Sequence, residues 1–187
     1  DVLETVKKMK AGATPSFSSA TIKARTHGEA LLYVAVHHGE AQEFRVSSDR
    51  RSLKVKAALP NGARVFDFQI ADPSRTDRLD MGSGTSKLLD PAQLVMFATR
   101  VERDLPAGKS VLSTDSRRAT GGRLRLASAA LGEALVFIPR NSDLPPLGIY
   151  NSKVNEYLRT SQPDNFRRAH LRSEIKRLQA VAGAWES

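Results

Sequence analysis

The chain contains no cysteine, which removes disulfides, thiol nucleophiles and thiolate metal ligation in one step. Only four histidines are present, His27, His37, His38 and His170, so imidazole ligands are scarce and no metal is expected. Aromatic residues make up 6% of the chain, and no row of stacking side chains of the kind that holds single-stranded nucleic acid is visible. No apolar run approaches the roughly 18 residues needed to cross a bilayer. The opening Asp1-Val2-Leu3-Glu4 has neither the basic nor the apolar region of a secretory signal. A soluble chain is expected, cytoplasmic or secreted without disulfides.

What is there is an ordinary globular composition with one outlier. At 187 residues, with 40% hydrophobic and 26% charged residues, the chain is long enough to bury a core and is most simply one domain with additions at its ends. The outlier is a formal charge of +9. Such a charge attracts polyanions, whether nucleic acid, an acidic membrane surface, an acidic protein or a phosphate-rich cofactor.

The clearest element follows the loop Met81-Gly82-Ser83-Gly84-Thr85-Ser86-Lys87. Asp90 has the side chain of an N-cap, Pro91 occupies the first helical position, and Leu94, Phe97, Ala98, Val101 and Leu105 recur at helical spacing. After the break at Pro106, Ser110-Val111-Leu112-Ser113 reads as a short strand. Before this unit, residues 1–10 place Val2, Leu3, Val6 and Met9 on one side of a helix, and residues 12–19 read as a loop. Leu31-Leu32-Tyr33-Val34-Ala35-Val36 reads as a strand, turning at His38-Gly39-Glu40 into a second strand at 41–47. Turns at Asp49-Arg50-Arg51 and Pro60-Asn61-Gly62 bound two more alternating strands, near 53–57 and 64–70. After the unit, Gly121-Gly122 interrupts a helix that ends at Gly132, and Ala134-Leu135-Val136-Phe137-Ile138 reads as an apolar strand. Asn151 or Ser152 can cap a short helix, and a final amphipathic helix carries Phe166, Leu171, Ile175, Leu178 and Ala182.

Helix, meander, helix, strand, helix, strand and helical tail place the chain in the α/β or α+β class. The expected architecture is a mixed sheet with an N-terminal antiparallel meander, flanking helices and a C-terminal helical tail. Residues 1–148 are expected to form one domain, with 149–187 a helical extension packed on or beside it. From about Leu31 to Ile138 this order resembles the acyl-coenzyme A dependent N-acetyltransferase family. In that family the cofactor loop reads Gln or Arg, two residues, Gly, one residue, then Gly or Ala. Gly82-Ser83-Gly84 supplies both glycines, while Leu79 stands at the basic position and Arg78 one place before it. The family starts its helix inside the loop, whereas the best cap here is Asp90.

The resemblance implies acetyl-coenzyme A as cofactor, held by the backbone N–H groups of Gly82, Ser83, Gly84, Thr85 and Ser86, with charge from Lys87 and Arg78. It also implies a base near the gap between strands 64–70 and 110–113, for which Asp67, Asp72 and Asp115 are the candidate carboxylates. The family often has a tyrosine general acid on the second helix, and none stands there.

Two other clusters carry chemistry. His37-His38-Gly39-Glu40 reads as a hairpin tip, since adjacent strand residues point to opposite faces and cannot share one ion. With Glu40 and Arg45, one histidine would suit acid-base work on a phosphodiester. The last helix carries Arg167, Arg168, Arg172, Lys176 and Arg177, a face suited to phosphates or to an acidic protein partner. The function expected first is therefore an acyl-coenzyme A dependent N-acyltransferase acting on an amine. The alternatives are a non-enzymatic basic module binding nucleic acid or an acidic protein, and a secreted effector or toxin of another activity.

Overall fold

Thr26 begins the element on which the fold turns. Its hydroxyl accepts a hydrogen bond from the Glu29 amide at 3.1 Å, and Gly39, at φ 88°, closes the far end. Between them His27–His38 is helix α1, not the strand that the run Leu31 to Val36 suggests. Within residues 20–60, 62–108 and 112–186, which a computed structural model describes, α1 lies between two layers. Ala30, Leu31 and Val34 pack towards the sheet, while Leu32 and Ala35 join the core of the helical layer. A helix buried on both sides is apolar all round and loses the one-sided period that marks an amphipathic helix. The expected helix at 1–10 and loop at 12–19 lie outside the described residues.

The protein belongs to the α+β class. Its mixed sheet has four strands among the described residues: β1 (Ile22–Ala24), β2 (Ala41–Val46), β3 (Ser52–Leu59) and β4 (Gly62–Ile70), in the order β1-β4-β3-β2. β2, β3 and β4 form the antiparallel meander, and β1 runs parallel to β4. α1 carries the chain from the β1 edge to the β2 edge across one face. Ala24, Leu53, Val55, Ala57, Phe66, Phe68 and Ile70 form the core beneath it.

The second layer is helical. α2 (Pro91–Arg103) starts as the sequence suggests, in a capping box in which the Asp90 carboxylate accepts from the Gln93 amide and the Gln93 side chain accepts from the Asp90 amide. Leu94, Phe97, Ala98 and Val101 are its buried stripe. α3 (Thr114–Val136) runs unbroken through Gly121-Gly122 and past Gly132, so the expected strand at 134–138 is the helix end and its cap. Gly121 is a packing residue: a Cβ there would stand 2.6 Å from Glu186 Cγ and 3.2 Å from the Ala182 carbonyl. Its missing side chain lets the last helix approach. Leu112 and Ser113 are not strand, Ser113 being the N-cap of α3, and residues 109–111 lie outside the described part.

Ser152 caps α4 (Lys153–Ser161), a 3-10 turn follows at Pro163–Phe166, and α5 (Arg168–Glu186) ends the fold. Leu171, Leu178, Ala182 and Trp185 of α5 are buried in one cluster with Leu124, Ala127, Ala130 and Leu131 of α3. Each fully buried leucine contributes about 1.5–3 kcal/mol, so α5 is a structural part of the helical layer. No described helix is long and apolar enough to cross a membrane.

Candidate functional site

With α1 on one face of the sheet, the pleat sends the intervening residues to the other face, which no described helix covers. Strand register aligns these residues in three lateral rows: Lys23–Gln69–Ser52, Asp67–Lys54–Arg45 and Val65–Lys56–Gln42. Successive rows stand about 6.8 Å apart, two residues along the strand. The face thus gathers Lys23, Arg45, Lys54 and Lys56 around a single acid, Asp67. Lys54 Nζ pairs with Asp67 Oδ1 at 2.5 Å, a half-buried pair still open to solvent screening and so of modest energetic weight. Lys23, Arg45 and Lys56 are exposed and make no ion pair with a described acid.

The β2–β3 turn adds two cations at the rim. Asp49 accepts from the Ser47 hydroxyl and from the Arg51 amide, and these bonds hold its carboxyl below the usual carboxylate range. Arg50 takes the left-handed conformation at φ 57°. Its carbonyl meets His27 Nε2 at 3.2 Å, and the Arg51 carbonyl accepts from the Ile70 amide at 2.8 Å. Arg50 and Arg51 are therefore presented, exposed, from an anchored turn.

The glycine loop has a different surrounding from the one the resemblance implies. Gly82 and Gly84 are left-handed, at φ 85° and 76°, but the Gly82 amide donates to Asp80 Oδ1 at 2.8 Å and the Ser86 amide to Glu133 Oε1 at 2.9 Å. The Ser83 and Gly84 carbonyls accept from Arg25 Nη1. Ser83, Gly84, Thr85 and Lys87 are exposed, and Arg78 pairs with Glu43 at 3.4 Å. The loop does not open α2, which is capped by Asp90.

Arg25 is the hub of this region and was not singled out by sequence. Its Nε pairs with Glu29 Oε1 at 2.9 Å and its Nη2 with Glu133 Oε1 at 2.7 Å. Glu133 is 4% exposed. Burial pushes its carboxyl up, against the pull of Arg25 and of the Ser86 amide. Beside it lies a cleft of about 400 Å³ lined in part by Asp80, Arg125, Ser128 and Gln179. The available signal was Thr26-His27-Gly28-Glu29, whose Ser/Thr-x-x-Glu spacing marks a helix start.

The candidate carboxylates do not converge. Asp67 lies on the open sheet face. Asp115 is in the first turn of α3 with its side chain 96% exposed. Asp72 accepts from the Ser74 amide and hydroxyl in the turn after β4. The histidine pair is not a hairpin tip: His37 and His38 end α1, with His37 4.7 Å from the Tyr33 ring and His38 4.7 Å from the Phe66 ring. Desolvation holds both imidazoles below their usual pKa, helped at His37 by His38 and at His38 by Arg64. His38 packs on the α1 face of the sheet and Arg45 stands on the other, so they form no acid-base unit. Among the described residues no cluster of three or more His, Asp or Glu side chains is placed to hold a metal ion.

The basic face of α5 is largely tied to its own chain. Arg167 pairs with Asp164 and Asp143, Arg168 donates to the carbonyls of Ile138, Pro139 and Ser142, and Arg177 pairs with Glu174 and Glu102. Arg172 and Lys176 remain exposed without an ion pair among the described residues. No family model, curated protein or solved structure matches this chain.

Proposed function

We propose that the protein is a basic binding module that docks nucleic acid on the open face of its sheet. The observation that supports this reading is the register-aligned set Lys23, Arg45, Lys54 and Lys56, with one intervening acid, on a face that no described helix covers. Cations placed on phosphates release condensed counterions, which is the main source of sequence-independent affinity. The aligned rows contain no aromatic side chain, so they give no platform for base stacking. The contacts are accordingly to phosphate, indifferent to sequence and steeply sensitive to salt. Fluorescence anisotropy of a labelled mixed-sequence duplex and single strand, titrated at several salt concentrations, tests this. Affinity that ignores salt, or that survives neutralisation of Lys54 and Lys56, would sink it.

A second reading, an acyl-coenzyme A site at residues 82–87, is favoured by the two left-handed glycines and the exposed backbone between them. Its test is thermal unfolding with and without acetyl-coenzyme A. Ligand at about 100 times its dissociation constant stabilises the native state by about 2.7 kcal/mol, and bulky substitution of Gly84 should abolish the shift.

A further inference from the structure

A second cleft lies on the far side of α1 from the sheet. About 670 Å³ in volume, it runs between the end of α1, α2, α4 and the 3-10 turn, within the roughly 300–1,000 Å³ of small-molecule sites. Phe97, Leu158 and Phe166 give it apolar surface, and Met96, 53% exposed, stands at its lip. No carboxylate lines it.

Its polar wall is held in one orientation by a buried acid behind it. Asp90 is 1% exposed. Its Oδ2 accepts from the Asn151 amide at 2.8 Å and from Asn155 Nδ2 at 2.7 Å. Gln93 Oε1 accepts from the Asp90 amide and from Asn151 Nδ2, both at 3.0 Å. These bonds decide which end of each carboxamide is left over. Among the described residues the Gln93 NH2 has no acceptor, and the Oδ1 atoms of Asn151 and Asn155 have no donor. Arg100 is fixed too: Nη2 donates to the Ala35 and Val36 carbonyls at 2.9 and 3.1 Å, and the guanidinium lies 5.6 Å over the Phe97 ring. Its Nε and Nη1 hydrogens have no described partner. Arg103 adds a second, exposed guanidinium, whose Nε donates to Asp104 Oδ1 at 3.1 Å.

A fixed donor beside fixed acceptors complements the edge of a nucleobase, which an amide reads through paired hydrogen bonds. The two guanidiniums complement a phosphate, Arg100 with no acid paired to it among the described residues and Arg103 through the hydrogens that Asp104 does not take. We propose that this cleft binds a nucleoside monophosphate, its base edge on Gln93, Asn151 and Asn155 and its phosphate towards Arg100 and Arg103. The site is separate from the open sheet face and does not depend on that reading.

Calorimetric titration of the full chain with AMP, adenosine and inorganic phosphate tests the proposal. AMP should bind more tightly than either fragment. Arg103→Glu should weaken AMP at least tenfold and adenosine much less, and Met96→Trp should weaken both by crowding the mouth. Both side chains are largely exposed, so unfolding midpoints should stay at the wild-type value and serve as the folding control. Arg172→Gln with Lys176→Gln, outside the cleft, should leave AMP affinity unchanged. The proposal is overturned if AMP gives no binding heat, if it binds no better than phosphate alone, or if neither cleft variant alters its affinity.

Discussion

Arg25 and Glu133 stand 108 residues apart in the chain and meet at 2.7 Å, the guanidinium also holding Glu29 and the carbonyls of the glycine loop. One side chain at the end of β1 thereby ties α1, residues 80–86 and α3 together. Removing one member of a buried charged set strands the others, at a cost of about 3–5 kcal/mol. Glu133→Ala should therefore lower stability by about that amount, measured by urea unfolding, because Arg25 and the Ser86 amide both lose their acceptor.

Glu133→Gln should behave differently. Glutamine keeps an acceptor oxygen, and the raised pKa of Glu133 means that burial already opposes its charge. The folded carboxyl holds its proton to higher pH than the unfolded one, so the native state binds more protons, and this group's contribution to stability falls as pH rises from its ordinary value through the raised one. Wild type should thus lose ground to Glu133→Gln as pH rises from the ordinary carboxylate range towards neutrality. A constant difference between their urea midpoints over that range would refute the linkage.

Gly28 illustrates a packing constraint that overrides helix propensity. It sits in the first turn of α1, where alanine would ordinarily be favoured by up to about 1 kcal/mol. A Cβ there would lie 2.5 Å from the Asp80 carbonyl oxygen and 2.9 Å from that of Arg78, and backbone atoms cannot swing aside. Gly28→Ala should instead destabilise by about 1–3 kcal/mol, lowering the thermal midpoint; an unchanged or raised midpoint would show that residues 78–80 yield freely.

The contrast between α1 and α2 shows what was legible in the chain. α2 announces itself because it buries one face only, so Asp90-Pro91, Gln93 and the stripe Leu94, Phe97, Ala98 and Val101 all point to one answer. α1 carries a start signal at Thr26 and Glu29, but Leu31-Leu32-Tyr33-Val34-Ala35-Val36 has no polar side, because both sides are covered. Periodicity cannot separate such a run from a buried strand. The two candidate sites were harder still. Lys54 and Lys56 declare their common face by alternation, yet their alignment with Lys23 and Arg45 depends on strand register. The meeting of Asp90 with Asn151 and Asn155 spans 61 and 65 residues, a distance over which local pattern is silent.

Tyr150 is the buried group with most to gain from simplification. Its hydroxyl has no hydrogen-bond partner among the described residues, the neighbouring Arg159 donating its Nε and Nη2 hydrogens to the Pro145 carbonyl. Desolvation pushes the phenol up to about 12. An unsatisfied buried hydroxyl carries a desolvation cost, so Tyr150→Phe should be neutral or stabilising by up to about 1 kcal/mol. Spectrophotometric titration should show a late-ionising tyrosine in the wild type that the variant lacks. A clear fall in the midpoint of Tyr150→Phe would mean that the hydroxyl is engaged after all.

The sheet face gives the sharpest expectation, because counterion release is countable. Each phosphate neutralised on duplex DNA contributes about −0.9 to the slope of log affinity against log salt, and on a single strand about −0.7. Lys23, Arg45, Lys54 and Lys56 together would give a duplex slope near −3.6 by that rule. Lys54→Gln with Lys56→Gln should make the slope shallower by about 1.8 on duplex and about 1.4 on single strand, without altering sequence preference. Arg172→Gln with Lys176→Gln, on the far helical layer, should leave the slope unchanged. The reverse pattern, with α5 controlling the slope and the sheet silent, would move the nucleic-acid surface to α5 and refute the assignment to the sheet.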